Sequence, residues 1–535
     1  MSLSAPMLHS PDQGSIAAGD AGGGQSPLRR FRGGVAALTL FLAGCAAGHP
    51  RTPEIALPLQ FEAPAAAQVP VALDRWWTLY GDAQLNALED EALTRGFSVR
   101  EALARLDEAR AVRRQVGSQF GPQGDINGSA SRTQTFNLGS GSGLSTTGGS
   151  TTGAGTGTGT GTGTGAGATT GTTTGASGFG FSLPGASESY SLSLPVRWEL
   201  DLWGRVAAAR RYANADLAAA RYSYQGARTT LAGDVADQLF QARGTASELE
   251  NAQATLRIRS DIRRAVAVRA ERGIAPRSDL NRVDTDLATA QAEVARLDAQ
   301  LYAARRSLLA LIGRAGDRVE TVPITPALGD APPIPAGLPA DLLVRRPDVL
   351  EARARLEGAL GRLKTAELAQ MPTITLTPSA GLNAQRGTFT STTGFWSIGA
   401  SLLVPLLDRA RLRAEVGIAD ARTEQAVLSF EQSVQTAFSE SDQLIAQLAA
   451  DRARVTALTT GEVRARASYD AALTQYRLGL TDLSTLLDVE ATWRAARQQA
   501  SAARVDALSR SVQLFKALGG GWSPAQADPL AGRTN

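Results

Sequence analysis

Residues 190–212 read Tyr-Ser-Leu-Ser-Leu-Pro-Val-Arg-Trp-Glu-Leu-Asp-Leu-Trp-Gly-Arg-Val-Ala-Ala-Ala-Arg-Arg-Tyr. In the first part Tyr190, Leu192, Leu194, Val196, Trp198 and Leu200 alternate with Ser189, Ser191, Ser193, Pro195, Arg197, Glu199 and Asp201. That is the period of a β-strand, over the length a tilted strand needs to cross a bilayer. From Arg205 the period changes. No proline occurs between Arg205 and Ala275, the stretch is rich in Ala, Arg, Leu, Gln and Glu, and Leu231, Val235 and Leu239 recur at helical spacing. At 1.5 Å per residue such a helix is a rod of about 100 Å. Rods of that length must bury their apolar stripe against other helices, as coiled coils do.

The same succession returns later. Trp396, Ile398, Ala400, Leu402, Val404 and Leu406 alternate with mostly small or polar residues, and a proline-free stretch with Val427, Phe430 and Val434 then runs from Arg411 to Gly479. Spacings agree between the two copies: 17 residues from Arg105 to Pro122 and from Arg355 to Pro372, 68 from Arg205 to Gly273 and from Arg411 to Gly479, and 40 from those glycines to Gly313 and Gly519. An internal duplication is the simplest cause. One interval differs: Pro122 to Arg205 is 83 and Pro372 to Arg411 is 39. Most of the excess is residues 139–178, which apart from Leu144 contain only Gly, Ser, Thr and Ala. Such a tract buries too little apolar surface to offset its ordering entropy and reads as a flexible loop.

Shorter helices complete each copy. Asp348 to Met371, with Pro347 at its start, and Asp482 to Leu518 stack to nearly the length of the second rod; Leu85 to Phe120 and Asp279 to Ile312 do so beside the first. Arg272-Gly273 and Leu478-Gly479 are then the tips of two helical hairpins. The helices alone also fit a solvated coiled coil without a pore. The strands argue otherwise. Ile374, Leu376, Ala380 and Leu382 alternate with Thr373, Thr375, Thr377, Ser379 and Gly381, a weaker strand spans Asp125 to Arg132, and Tyr190, Trp198, Phe395 and Trp396 fall near strand ends, where an interfacial belt puts aromatics. Half-buried strands of a soluble sheet are the alternative. Four strands cannot close a transmembrane barrel, and lipid tolerates no open edge, so several chains must pool them; three give twelve.

The N-terminal region supplies an address. Arg29, Arg30 and Arg32 precede an apolar run from Gly33 to Leu42, too short to span a bilayer but suited to a secretory signal. The run ends in Leu42-Ala43-Gly44-Cys45, which resembles the bacterial lipobox, whose cysteine is acylated after cleavage. The 535-residue chain has 54 Lys+Arg against 51 Asp+Glu and 5% aromatic residues, so neither charge nor stacking favours nucleic acid. Cys45 is the only cysteine, the two histidines are His9 and His49, both outside the folded part, and there are three methionines. No His-based acid–base or metal site, no nucleophilic thiol and no soft-metal cluster is expected, and the Gly/Thr tract lacks a Walker lysine.

Four segments carry a family resemblance: Trp76-Trp77 with Tyr80-Gly81-Asp82; Trp198 to Arg205; Leu338-Pro339-Ala340-Asp341-Leu342-Leu343-Val344-Arg345-Arg346-Pro347-Asp348; and Ala517-Leu518-Gly519-Gly520-Gly521-Trp522. The chain resembles the OprM/NodT branch of the TolC-like outer-membrane efflux proteins. The resemblance implies a mainly α fold with a membrane β-barrel. Three chains would pool four strands each into a twelve-stranded barrel continuous with a periplasmic tunnel of long antiparallel helices. On that reading 1–44 are leader and lipoprotein signal, 45–84 tether and equatorial segment, 85–313 the first repeat, 314–337 a linker, 338–519 the second repeat and 520–535 a tail.

The resemblance also implies a periplasmic gate after the second tip, in Leu483-Ser484-Thr485-Leu486-Leu487-Asp488-Val489-Glu490-Ala491. Asp488 matches the family's acidic ring residue, Ser484 stands where a bulkier apolar residue is usual, and Ala491 where a basic one is. Arg272, Gly273, Leu478 and Gly479 would meet a periplasmic adaptor, with an inner-membrane RND transporter as the pump. The implied function is a passive exit duct for small molecules, lipid-anchored at Cys45 in the outer membrane, without cofactor or enzymatic activity. A TolC-type duct for type I protein secretion shares the architecture; a periplasmic adaptor or structural coiled-coil lipoprotein would lack the alternating strands.

Overall fold

The computed structural model describes residues 51–62, 73–134, 186–333, 339–387 and 390–522. Cys45 and the 139–178 tract lie outside them. Chain order is α1 (Ala83–Arg95), α2 (Phe97–Gln119), β1 (Gln123–Gly124), β2 (Asn127–Gln134), β3 (Ala186–Leu200), α3 (Arg205–Glu271), α4 (Arg277–Leu311), α5 (Leu342–Arg345), α6 (Pro347–Leu368), β4 (Thr373–Arg386), β5 (Ser391–Leu403), α7 (Arg409–Arg477) and α8 (Leu483–Ala517).

The two rods are α3, 67 residues, and α7, 69 residues. Each lies beside two shorter helices, α2 and α4 against α3, α6 and α8 against α7, while α6 and α8 also touch α3 and so join the two sets. One expectation fails. Leu85 to Phe120 is not one helix: Gly96 leaves helical geometry (ψ 132°) and separates α1 from α2. A side chain there would lie 2.5 Å from Leu231 Cδ2 and 2.6 Å from the Ala92 carbonyl, so the chain bends where only glycine lets it press against α3. Asp82 caps α1, accepting from the amides of Gln84 and Leu85.

The sheet is antiparallel throughout, with β3 between β2 and β4, and β5 beyond β4. Register puts unlike chemistry on its two faces. Leu192 opposes Leu382, Leu194 opposes Ala380 and through it Trp396, and Leu200 opposes Ile374 and then Leu402. On the other face Ser129–Ser191, Ser131–Ser189 and Ser379–Ser397 hydroxyls bond across the strands at 2.7–2.8 Å. The apolar face is uncovered: Trp396 is 81% and Ile398 70% exposed. Among the described residues β2 and β5 each have one unpaired edge.

Trp76 is fully buried in the helical core, where it stacks on Phe515 at 5.4 Å and meets Trp77 and Tyr80 edge-on. Here three of the four segments that carry the resemblance converge, while Trp198 to Arg205 lies at the junction of β3 and α3. The Arg346 guanidinium donates to Asp348, to Glu440 of α7 and to the Ala517 carbonyl at the end of α8. Trp522 Nε1 donates to the Arg345 carbonyl at 3.0 Å, and the Gly521 amide to Leu73. The Arg-Arg-Pro-Asp and Gly-Gly-Gly-Trp segments are thus two sides of one knot that fastens the start of α6 to the end of α8.

Candidate functional site

The helix ends farthest from the sheet hold the expected tips. At Gly273 (φ 70°) and Gly479 (φ 75°) the backbone turns through the left-handed region, and the amides of Ile274 and Leu480 reach back to the Arg269 and Gln475 carbonyls. This is the glycine-terminated helix end in which a side chain would strain the turn. Arg272 and Leu478 precede the two glycines. Ile274, Leu478 and Leu480 are 63–74% exposed, so both tips present apolar side chains to solvent. Arg269 ties one tip to the other, donating to the Tyr476 hydroxyl at 3.3 Å with its guanidinium over the ring.

Just above the tips, Ile262, Val266, Val283, Tyr469, Ala472, Leu486 and Leu487 form a separate small core between the hairpins, with Tyr469 stacked on Trp493 at 4.9 Å. The α8 sequence explains its orientation. Asp482 caps it through the Thr485 amide (2.7 Å), and hydrogen bonds from the Thr485 side chain and then its amide hold the Asp482 carboxyl below its ordinary value. Leu486, Leu487 and Glu490 then face the core. Ser484 and Asp488, one turn apart, are left on the exposed face, and neither side chain has a hydrogen-bond or ion-pair partner among the described residues.

Ala491 is placed differently. It is half-buried at a cavity of about 550 Å³ between α3, α4 and α8, shared with Glu248, Glu293, Arg296 and Arg494. Burial raises the Glu248 carboxyl, whereas the hydrogen bonds from Arg296 hold Glu293 low. Asp488 and Ser484 therefore share one surface, and Ala491 marks the wall between hairpins.

Sequence reading missed the central contact of this region. Glu490, 1% exposed, accepts from Arg259 of α3 at 3.4 Å, and Arg259, itself buried, also donates to the Asp286 carbonyl of α4 at 2.9 Å. Arg494 lies 3.9 Å from the other Glu490 oxygen. Arg259 thus joins three helices. Nothing local announces it, because Arg259 and Glu490 are 231 residues apart. Among the described residues no group of His, Cys, Asp or Glu could hold a metal, and no helix is long and apolar enough to cross a membrane.

A family model described as "Outer membrane efflux protein" matches residues 88–314 and 338–520. The pyoverdine export outer membrane protein OpmQ of Pseudomonas putida is 28% identical over 495 residues, 92% of this chain and 97% of that protein. The toluene efflux pump outer membrane protein TtgI of Pseudomonas putida is 30% identical over 342 residues, 63% of this chain and 72% of that protein. Among solved structures, the outer-membrane channel OprN superposes with a TM-score of 0.72 at 26% identity, covering 90% of this chain and all of that one.

Proposed function

The chain belongs to the outer membrane efflux protein family, and from that we propose that it is the exit duct of a tripartite pump. Three copies pool their sheets into a closed barrel, β5 of one chain pairing with β2 of the next, and their helical hairpins form a periplasmic tunnel. The observation that carries this is the sheet: an uncovered apolar face, a hydroxyl-lined face and two open edges, on the end of rods about 100 Å long. Lipid satisfies the first, water the second, and only neighbouring copies the third.

In this reading each repeat supplies one hairpin and one pair of strands, and Cys45 carries the lipid anchor. The tips at Arg272-Gly273 and Leu478-Gly479 meet an adaptor that links the duct to an inner-membrane RND transporter. No cofactor or catalytic group takes part. Cargo is small molecules, as the pyoverdine and toluene systems of the relatives support.

Three Asp488 carboxylates converge at the axis as a ring of like charge, and Ser484 beside them leaves the closed state without an apolar plug. Purified protein in a planar bilayer should therefore conduct with cation preference and be blocked by hexaamminecobalt(III). Asp488→Ala should abolish the block, and Ser484→Leu should lower conductance. A protein that forms no channel would refute the duct; a channel whose block survives Asp488→Ala would move the ring elsewhere.

A further inference from the structure

All four helices that join the sheet do so at the same end of it. Leu200 pairs with Ile374 and Thr373 with Leu403, so the C-terminal end of α2, the start of α3, the end of α6 and the start of α7 lie at one level. The eleven residues of each helix nearest the sheet carry eleven Lys or Arg and two Glu, net +9 by subtraction. The whole chain is only +3, so the remainder is negative. Basic charge is concentrated in one short layer.

Its partners are incomplete. Arg205, Arg362, Lys364 and Arg411 are paired with nearby carboxylates. Arg113 and Arg114 of α2, Arg210 and Arg211 of α3, and Arg409 and Arg413 of α7 have none among the described residues, and all but the half-buried Arg409 are exposed. Immediately sheetward lies a fringe of exposed apolar side chains, Leu202, Trp203, Leu406 and Leu407, the last 99% exposed. Arg413 is four residues inside α7 and Arg210 five inside α3, placing them about 6–8 Å along the helices from their sheetward ends. The headgroup layer of a bilayer lies at that depth below its hydrocarbon.

We propose that these six arginines form a collar that binds the phosphates of anionic phospholipids in the periplasm-facing leaflet. The inference rests on the sheet crossing the outer membrane, and goes beyond it by assigning the lipid class and the residues that recognise it. Guanidinium groups suit the task because each presents a donor fork to phosphate oxygens, and a juxtamembrane basic cluster is drawn to anionic lipid with a dependence on salt.

The test reconstitutes the full-length protein into vesicles containing either spin-labelled phosphatidylglycerol or spin-labelled phosphatidylcholine. It compares the fraction of motionally restricted probe. Wild type should prefer phosphatidylglycerol at least about threefold at low salt, less at high salt. Arg113→Gln/Arg114→Gln/Arg210→Gln/Arg211→Gln should bring the ratio towards one, and the corresponding four-lysine variant, which keeps the charge, should retain most of it. No preference in wild type, or a full preference in the glutamine variant, would overturn the collar. So would a glutamine variant that changes channel ion selectivity but not lipid preference, since the arginines would then line the conduit. Flotation of the same vesicles separates the premises: protein that floats without lipid preference refutes the collar alone, and protein that does not float refutes the membrane placement with it.

Discussion

Arg259 and Glu490 meet at 3.4 Å in the buried seam between the two helical hairpins, each less than a tenth exposed. A pair so placed gains little over an apolar pair of the same volume, yet breaking it strands a charge away from water. Arg259→Ala should therefore destabilise the helical domain by about 3–5 kcal/mol, measured by chemical denaturation in detergent. The double replacement Arg259→Leu/Glu490→Leu should recover most of that loss. If Arg259→Ala lies within roughly 0.5 kcal/mol of wild type, the seam is not held by this pair.

Glu89 of α1 is fully buried, and neither carboxylate oxygen has a hydrogen-bond partner. Burial first, then repulsion from Asp90 and Asp234, raises its carboxyl well above the ordinary range. The folded chain thus keeps a proton that the unfolded chain releases, so this residue costs stability as pH rises from the ordinary carboxylate value towards the raised one. Glu89→Gln should be more stable than wild type at neutral pH, with a difference that shrinks as pH falls to about 4. Equal thermal midpoints across that range would count against a raised Glu89 carboxyl.

Arg346 gives the opposite slope. Burial pushes the Asp348 carboxyl up, but the hydrogen bonds and charge of Arg346 outweigh it and hold the group below its ordinary value. The contribution is present above the unfolded pKa and lost as pH falls through the folded one. Arg346→Met should cost about 1–3 kcal/mol at neutral pH, because Asp348 and Glu440 remain about half exposed to water, and less in acid. Denaturation at neutral and acid pH checks both the size and the direction.

Gly519 and Gly479 have nearly the same left-handed backbone, φ 74° and 75°, in different surroundings. A Cβ on Gly479 meets open space, whereas one on Gly519 lies 2.6 Å from the Arg345 carbonyl oxygen. Gly479→Ala should cost only backbone strain, about 1–2 kcal/mol. Gly519→Ala should cost clearly more, on the order of 4 kcal/mol, because it wedges the knot of Arg346 and Trp522 apart. Equal midpoint shifts for the two variants would show that the knot yields.

The rods were legible because helical periodicity and the absence of proline are local signals, and α3 and α7 run where they predict. The tips were legible for the same reason: Gly273 and Gly479 interrupt otherwise strong helix formers. The strands appeared through alternation, although the first extends further than the segment quoted, from Ala186. The bend at Gly96 was not legible, since an isolated glycine in a helical pattern is often tolerated and only the closeness of Leu231 makes it a break. Nor was the path of residues 51–62, where Arg51 pairs with Glu424 and Glu431 and Phe61 stacks on Phe438 of α7. Contacts spanning hundreds of residues leave no periodic trace.

The pairing of Gln134 with Ala186 closes β2 onto β3 at the end of the sheet remote from every helix. The residues on either side of the intervening 51 are thus neighbours, so the length of that stretch places no demand on the strands. On the proposed placement, with the sheet crossing the outer membrane and the helices in the periplasm, that end of the sheet opens to the medium outside the cell. It is the natural place to carry foreign peptide: an epitope spliced between Gln134 and Ala186 would be offered to antibodies on living cells. The rods admit no such cargo, because one inserted residue turns everything beyond it by about 100° and sets its seam out of phase.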